Sequence, residues 1–279
     1  MGFLLVVKAE LMRSLIIMRR YWFRTLIGLV LSYGMLMMFV LMFVANQDTV
    51  TNTLNQQFTD PSKAVNFVLG FIIGMFAFGI VGMFTQGLQG MAATGVLEQL
   101  YMSPYGLLTN LLARTVVGAV STILSSSLMV WLVSLTVKGT LHWDSLAVPL
   151  LLVLTFVNLL GFGFLAGGLV LVFKEIGQIA VLVRIGLFAL AVFAREELYQ
   201  SHWSLSAMLH LLPITDAAVC LKYVLVKGQM DDQGVFRSVF LHPCFYGLLV
   251  SCCVWLVVGT VAFRLMENYS RHKGTLGVY

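Results

Sequence analysis

Few side chains in this sequence are able to do chemistry, and their spacing fits no catalytic or metal-binding pattern. The five histidines, His142, His202, His210, His242 and His272, lie in loops or at the ends of apolar runs. No Gly-x-Ser-Gly serine site, no His-Glu-x-x-His pair and no close pair of aspartates in an apolar run occurs, so intramembrane hydrolysis is excluded. The four cysteines, Cys220, Cys244, Cys252 and Cys253, lack metal-site spacing and read as small apolar filler. A phosphate loop of the form G-x-x-x-x-G-K-[ST] is missing, and Lys273-Gly274-Thr275 has its elements out of order. What stands out instead is Arg184, an ionisable group in the middle of an apolar run. It follows Glu175 by about 13 Å at about 1.5 Å per helical residue, near the middle of a bilayer. There it lines a path or a seam and meets an anionic or polar group, or else it is locally paired. Asn158, Gln86 and Ser125 to Ser127 are polar but uncharged, and read as interhelix hydrogen-bonding groups worth about 0.6 kcal/mol each.

The elements that carry these residues belong in lipid. The chain has 279 residues, 59% hydrophobic and 10% charged, with a mean hydropathy of +0.94. A soluble domain carries about 45–50% apolar and about 25% charged residues. The sequence therefore specifies an all-α polytopic membrane protein with no separate aqueous domain. About six stretches reach the roughly 20 apolar residues that a crossing needs: 26–45, 65–88, 116–137, 146–173, 176–194 and 245–263. Lys174 and Glu175 part the fourth from the fifth as a tight turn. The net charge of +5 is explained by loops facing anionic lipid, so no nucleic-acid partner is expected. The first apolar run is too long, and too late behind basic residues, for a cleavable signal peptide.

Basic residues set the orientation. With the N-terminus inside, Lys8, Arg13, Arg19, Arg20, Arg24, Arg114, Lys174, Arg264, Arg271 and Lys273 are cytoplasmic, and the smaller set of Lys63, Lys138, Arg195, Lys222, Lys227 and Arg237 is external. Both termini are then cytoplasmic. In residues 1–24, Leu4, Leu11, Leu15, Met18 and Trp22 form one helical stripe, and Arg13, Arg20 and Arg24 another, with Arg19 beside them. Such a helix lies in the membrane interface as an elbow before the first span. The stretch 195–244 is too long for a turn. Its apolar centre, broken at Pro213, reads as paired half-helices dipping into the outer leaflet with Thr215 and Asp216 after the break. A seventh crossing there is the alternative, and would put the C-terminus outside.

Between the second and third spans, residues 89–115 form a cytoplasmic loop containing Gly95-Val96-Leu97-Glu98-Gln99-Leu100-Tyr101-Met102-Ser103-Pro104. Gly90 and Gly95 punctuate the approach. Leu97, Leu100 and Tyr101 give a short apolar face, Glu98 projects a carboxylate, and Pro104 ends the helix. This string resembles the G-T-L-E-Q-L-x-x-S-P signature of type-2 ATP-binding-cassette (ABC) exporter permeases, with Val96 in place of Thr. A weaker likeness, Leu212-Pro213-Ile214-Thr215-Asp216 through Lys222, resembles that family's N-P-L-T…E-x-L-R segment. The layout of elbow, six spans and long external segment is similar over the whole chain. Two departures stand out: residues 193–198 lack the S-G-x-x-x-P stretch common at the outer end of the fifth span, and Lys222 replaces an arginine.

The resemblance implies a single transmembrane domain over 1–279: elbow 1–24, spans one to five over 26–194, coupling loop 89–115, external segment 195–244, last span 245–263 and cytoplasmic tail 264–279. It implies an export permease in the plasma membrane of a prokaryote, working as a homodimer or with a paralogue. An ATPase subunit would bind ATP and magnesium, leaving this chain no cofactor and no catalytic role of its own. Gly95, Leu97, Glu98, Gln99, Leu100, Tyr101, Ser103 and Pro104 would couple it to that subunit, while Arg184 and Asn158 are candidates for the pathway or the dimer seam. The rival reading, a secondary transporter without an ATPase, calls for repeated halves and charged, discontinuous helices. Neither is visible.

Overall fold

Away from water a backbone must satisfy its own hydrogen bonds, and long apolar runs do so as helices. The computed structural model describes residues 2–45, 61–137, 147–173, 177–196, 199, 203–228 and 238–272, and no strand occurs among them. The helices are α1 (Gly2–Arg20), α2 (Trp22–Ala45), α3 (Pro61–Ala93), α4 (Val96–Met102), α5 (Gly106–Val137), α6 (Ala147–Val172), α7 (Gly177–Phe193), α8 (Trp203–Leu211), α9 (Thr215–Lys227) and α10 (Pro243–His272). A 3-10 turn, Val239–Leu241, precedes α10.

Four helices are long and apolar enough to cross a membrane: α3, α5, α6 and α10. A fifth is counted if α1 and α2, bent by 80° at Tyr21, are taken together. Helix α7 has 17 residues. At about 1.5 Å each they reach only about 25 Å, short of the roughly 30 Å of a hydrocarbon core. The described helices thus give four to five long apolar elements where hydropathy alone suggests about six. The loop between the second and third expected spans is also shorter than the sequence implies. Helix α3 runs on to Ala93 and α5 begins at Gly106, so only 94–105 leave the two long helices. The Lys174–Glu175 turn and the tail beyond His272 lie outside the described residues.

Small residues set the packing. Helices α6 and α10 run parallel and cross where Gly161 meets Gly259, and a Cβ on either glycine would strike the other helix's backbone. Helix α3 is central, touching α5, α6 and α7. Gly163 and Gly167 receive Phe84 and Leu88 of α3, while Gly70 and Gly74 of α3 lie against Val192 and Phe188 of α7. The rings of Phe84, Phe164 and Phe263 step from α3 through α6 to α10. Their centroids lie 5.0 Å apart for Phe84 and Phe164, and 5.5 Å apart for Phe164 and Phe263. Both pairs meet edge to face, as the ring quadrupoles favour. Between lipid-solvated helices such close approach is what holds the bundle together.

The bundle has two unlike ends. At one lie α1, α4 and the C-termini of α6 and α10, joined by Ser270 Oγ donating to Leu171 O at 3.3 Å. At the other, α8 and α9 fold back over the N-termini of α3 and α10. Leu4, Leu11, Leu15, Met18 and Trp22, the apolar stripe read in α1, are all exposed.

Candidate functional site

Two left-handed glycines flank helix α4, Gly95 as its N-cap and Gly106 at the start of α5. Gly95 (φ 70°) and Gly106 (φ 73°) adopt left-handed backbone. For other residues that region costs about 1–2 kcal/mol. Gly95 N–H donates to Ala92 O at 3.1 Å, closing α3, and Gly106 N–H donates to Ser103 O at 3.1 Å, opening α5. Between these hinges Leu97 is buried at 1% exposure and Leu100 packs half-buried against the core, docking α4 between α3 and α5. The helix stops at Met102, before Pro104. Ser103 Oγ accepts from Tyr105 N–H at 3.4 Å and from Asn110 Nδ2 at 3.5 Å. Gln99, Met102, Pro104 and Tyr105 face outward. The side chains of Glu98 and Tyr101 lie outside the described residues. The seven-residue helix is thus clipped to two long ones.

Helix α1 packs against α5 on the same side. Arg13 Nη1 donates to both carboxylate oxygens of Glu10 at 3.1 and 3.2 Å, and Arg114 Nε of α5 lies 4.0 Å from the same carboxylate. Arg19, Arg20 and Arg24 are exposed, and the Arg20 guanidinium sits 5.8 Å from the Tyr21 ring centroid.

Arg184 points from α7 into α3, midway along both helices. It is 4% exposed, its Nε donates to Phe78 O at 3.0 Å, and its guanidinium lies 3.6 Å from the Phe78 ring centroid. The face of that ring attracts the cation. Gly82 makes the room, since a Cβ there would sit 2.5 Å from Nη2. Nη1 is buried with no hydrogen-bond partner. Asn158 is elsewhere: its Nδ2 donates to Ser251 Oγ of α10 at 3.0 Å, while its Oδ1 is buried without a partner. The two residues face different helices and form no single site. Each retains a buried polar atom with no partner among the described residues.

At the far end α9 is buried on every side, from Ile214 at 0% to Leu225 at 4% exposure. The break at Pro213 turns the chain so sharply that Ile214 takes φ 88°. Thr215 Oγ1 steadies it by donating to Leu209 O and Leu212 O. Asp216, 1% exposed, accepts from His210 Nδ1 at 2.9 Å, and Gly247 of α10 leaves space for the pair. Burial raises the Asp216 carboxyl above its ordinary pKa, and the His210 hydrogen bond pulls it back down.

Three contacts had only a weak signal in the sequence. Lys222 Nζ donates to Ala191 O, Val192 O and Ala194 O at 3.0, 3.1 and 2.9 Å. It caps the C-terminus of α7 with a charge that suits the helix dipole. A lone lysine in the apolar 217–226 run was the only hint. His242 Nδ1 accepts from Cys244 N–H at 3.3 Å. The ring proton therefore sits on Nε2, which donates to Glu196 Oε1 at 3.1 Å. Glu10, the one acid in a basic helix, bridges α1 to α5. Among the described residues no three His, Cys, Asp or Glu side chains are grouped to hold a metal.

In comparisons with known proteins, no family model and no curated protein matches this chain.

Proposed function

We propose that the chain is the membrane-spanning subunit of an ATP-driven exporter, moved by a separate ATPase that docks on α4. The observation that carries this reading is α4 itself, a short helix hinged by Gly95 and Gly106, with Leu97 buried and Gln99 turned outward. A scaffold or an ungated channel has no need of a handle clipped between two spans. Its sequence resembles the coupling segment of type-2 ABC exporter permeases, and its neighbourhood with α1 fits the same division of labour.

In this reading α2, α3, α5, α6, α7 and α10 make six crossings, and α1 lies in the interface at 80° to α2. Helices α8 and α9 form a re-entrant hairpin at the outer end. Backbone at such depth must be covered by protein, and α9 is covered. The termini and α4 face the cytoplasm of a prokaryotic cell, because the basic residues gather at that end. Two copies, or this chain and a paralogue, form the path. Closure of the ATPase on ATP and magnesium pushes α4, which shifts α3 and α5 as rigid bodies between two packings. Arg184, with a buried unmet donor, sits between α7 and α3 of the one chain, so it meets the path or the seam only when those two helices part.

The direct test is co-purification. The tagged chain, expressed with a candidate phosphate-loop ATPase from the same genome, retains that ATPase, and Glu98→Arg releases it while the permease stays folded. Retention by Glu98→Arg and Gln99→Arg alike would sink the proposal.

A further inference from the structure

Helices α1, α3, α4 and α5 border a small, shallow notch that opens to the surface. Its apolar wall comes from Val6, Val96, Leu100 and Leu111, and its charged rim from Arg13, Glu10 and Arg114. Two guanidiniums on different helices converge there on one carboxylate, so a positive charge is left over. Arg13 takes both oxygens of Glu10, while Arg114 approaches no nearer than 4.0 Å. Among the described residues Arg114 makes no hydrogen bond at all, although its side chain is only 38% exposed. A planar fork of five donors, partly withdrawn from water and nearly unused, suits a bidentate anion.

We infer that this notch is a binding site for the headgroup of an anionic phospholipid, held through its phosphate by Arg114 and Arg13. The surroundings select lipid over a free anion. Beside the notch α1 turns Leu4, Leu11, Leu15 and Met18 outward, a continuous apolar face on which acyl chains can lie. Val96 and Leu100 offer nothing to inorganic phosphate but suit the glycerol region of a lipid. Because the site includes α4 and α1 together, an occupying headgroup bridges the handle to the elbow. The inference needs only that α1 lie at a membrane surface, and stands apart from the export reading.

Native mass spectrometry tests it on the full chain, released from phosphatidylcholine nanodiscs doped with phosphatidylglycerol. The wild type retains one phosphatidylglycerol. Arg114→Gln weakens retention about tenfold, the equivalent of one charge-assisted contact, and Arg114→Lys restores part of it. Glu10→Gln removes the competing carboxylate and strengthens retention, a gain that misfolding cannot mimic. Arg24→Gln, a basic residue outside the notch, changes nothing. Equal retention by wild type and Arg114→Gln, an equal loss in Arg24→Gln, or no gain in Glu10→Gln overturns the site. A wild type that retains no phosphatidylglycerol overturns it as well. Release of the lipid by added inorganic phosphate, with phosphate itself retained, would show a free-anion site and overturn the lipid assignment.

Discussion

At the scale of single residues, the buried charges divide into those fully partnered among the described residues and one, Arg184, that is partnered only in part. Lys222 ties three carbonyls at the end of α7. Lys222→Met strands those acceptors, and we expect it to cost about 2 kcal/mol in a denaturant or thermal titration in detergent. Lys8→Met, at an exposed position, should stay within about 0.5 kcal/mol. Arg184 is the opposite case. Its Nη1 is buried and unmet, so Arg184→Leu relieves a desolvated charge and should leave stability unchanged or higher. Under the proposed export function, transport by the assembled complex should nevertheless fall about tenfold, the loss expected from one charge-assisted contact. A variant that loses stability and transport in parallel would mark Arg184 as purely structural.

At the scale of elements, glycine decides where helices touch and where they turn. Gly161→Val drives a side chain into the backbone of α10 at Trp255 and Leu256. We expect about 3 kcal/mol or more of destabilisation, read as a lowered Tm. Gly186→Ala, with open space around it, should be neutral or gain up to about 1 kcal/mol from helix propensity. Gly95→Ala places a Cβ on left-handed backbone and should cost about 1 kcal/mol. That loss should appear as faster hydrogen exchange in α4 while α6 stays protected. Much of this scale was legible beforehand. Apolar run lengths locate α3, α5, α6 and α10, and the Gly95–Pro104 string locates α4 because glycine and proline act locally. The pairing of Gly161 with Gly259 was not legible, since nothing in one helix records which helix lies opposite. The described part of α7 agrees with the apolar run 176–194 to within one residue at each end. The capping by Lys222 and the Glu10–Arg114 bridge join residues far apart in sequence, and only the folded bundle brings them together.

At the scale of the whole molecule, the two ends are built for different work. The end bearing α1 and α4 is basic, hinged and notched, whereas the end bearing α8 and α9 is closed over by a helix with no exposed side. Vesicles holding the purified chain alone should therefore show no solute flux, and flux should appear when the partner ATPase and ATP are added. Flux without any ATPase would favour a gradient-driven carrier. The contact between Gly161 and Gly259 bears on how such a machine moves. With backbone against backbone at that crossing, and Phe164 on Phe263 and Asn158 on Ser251 along the same seam, α6 and α10 should behave as one welded mast. If the proposed ATPase drives the chain, spin labels placed along that pair should keep a constant separation as nucleotide is added and hydrolysed, while labels on α3 and α7 change theirs.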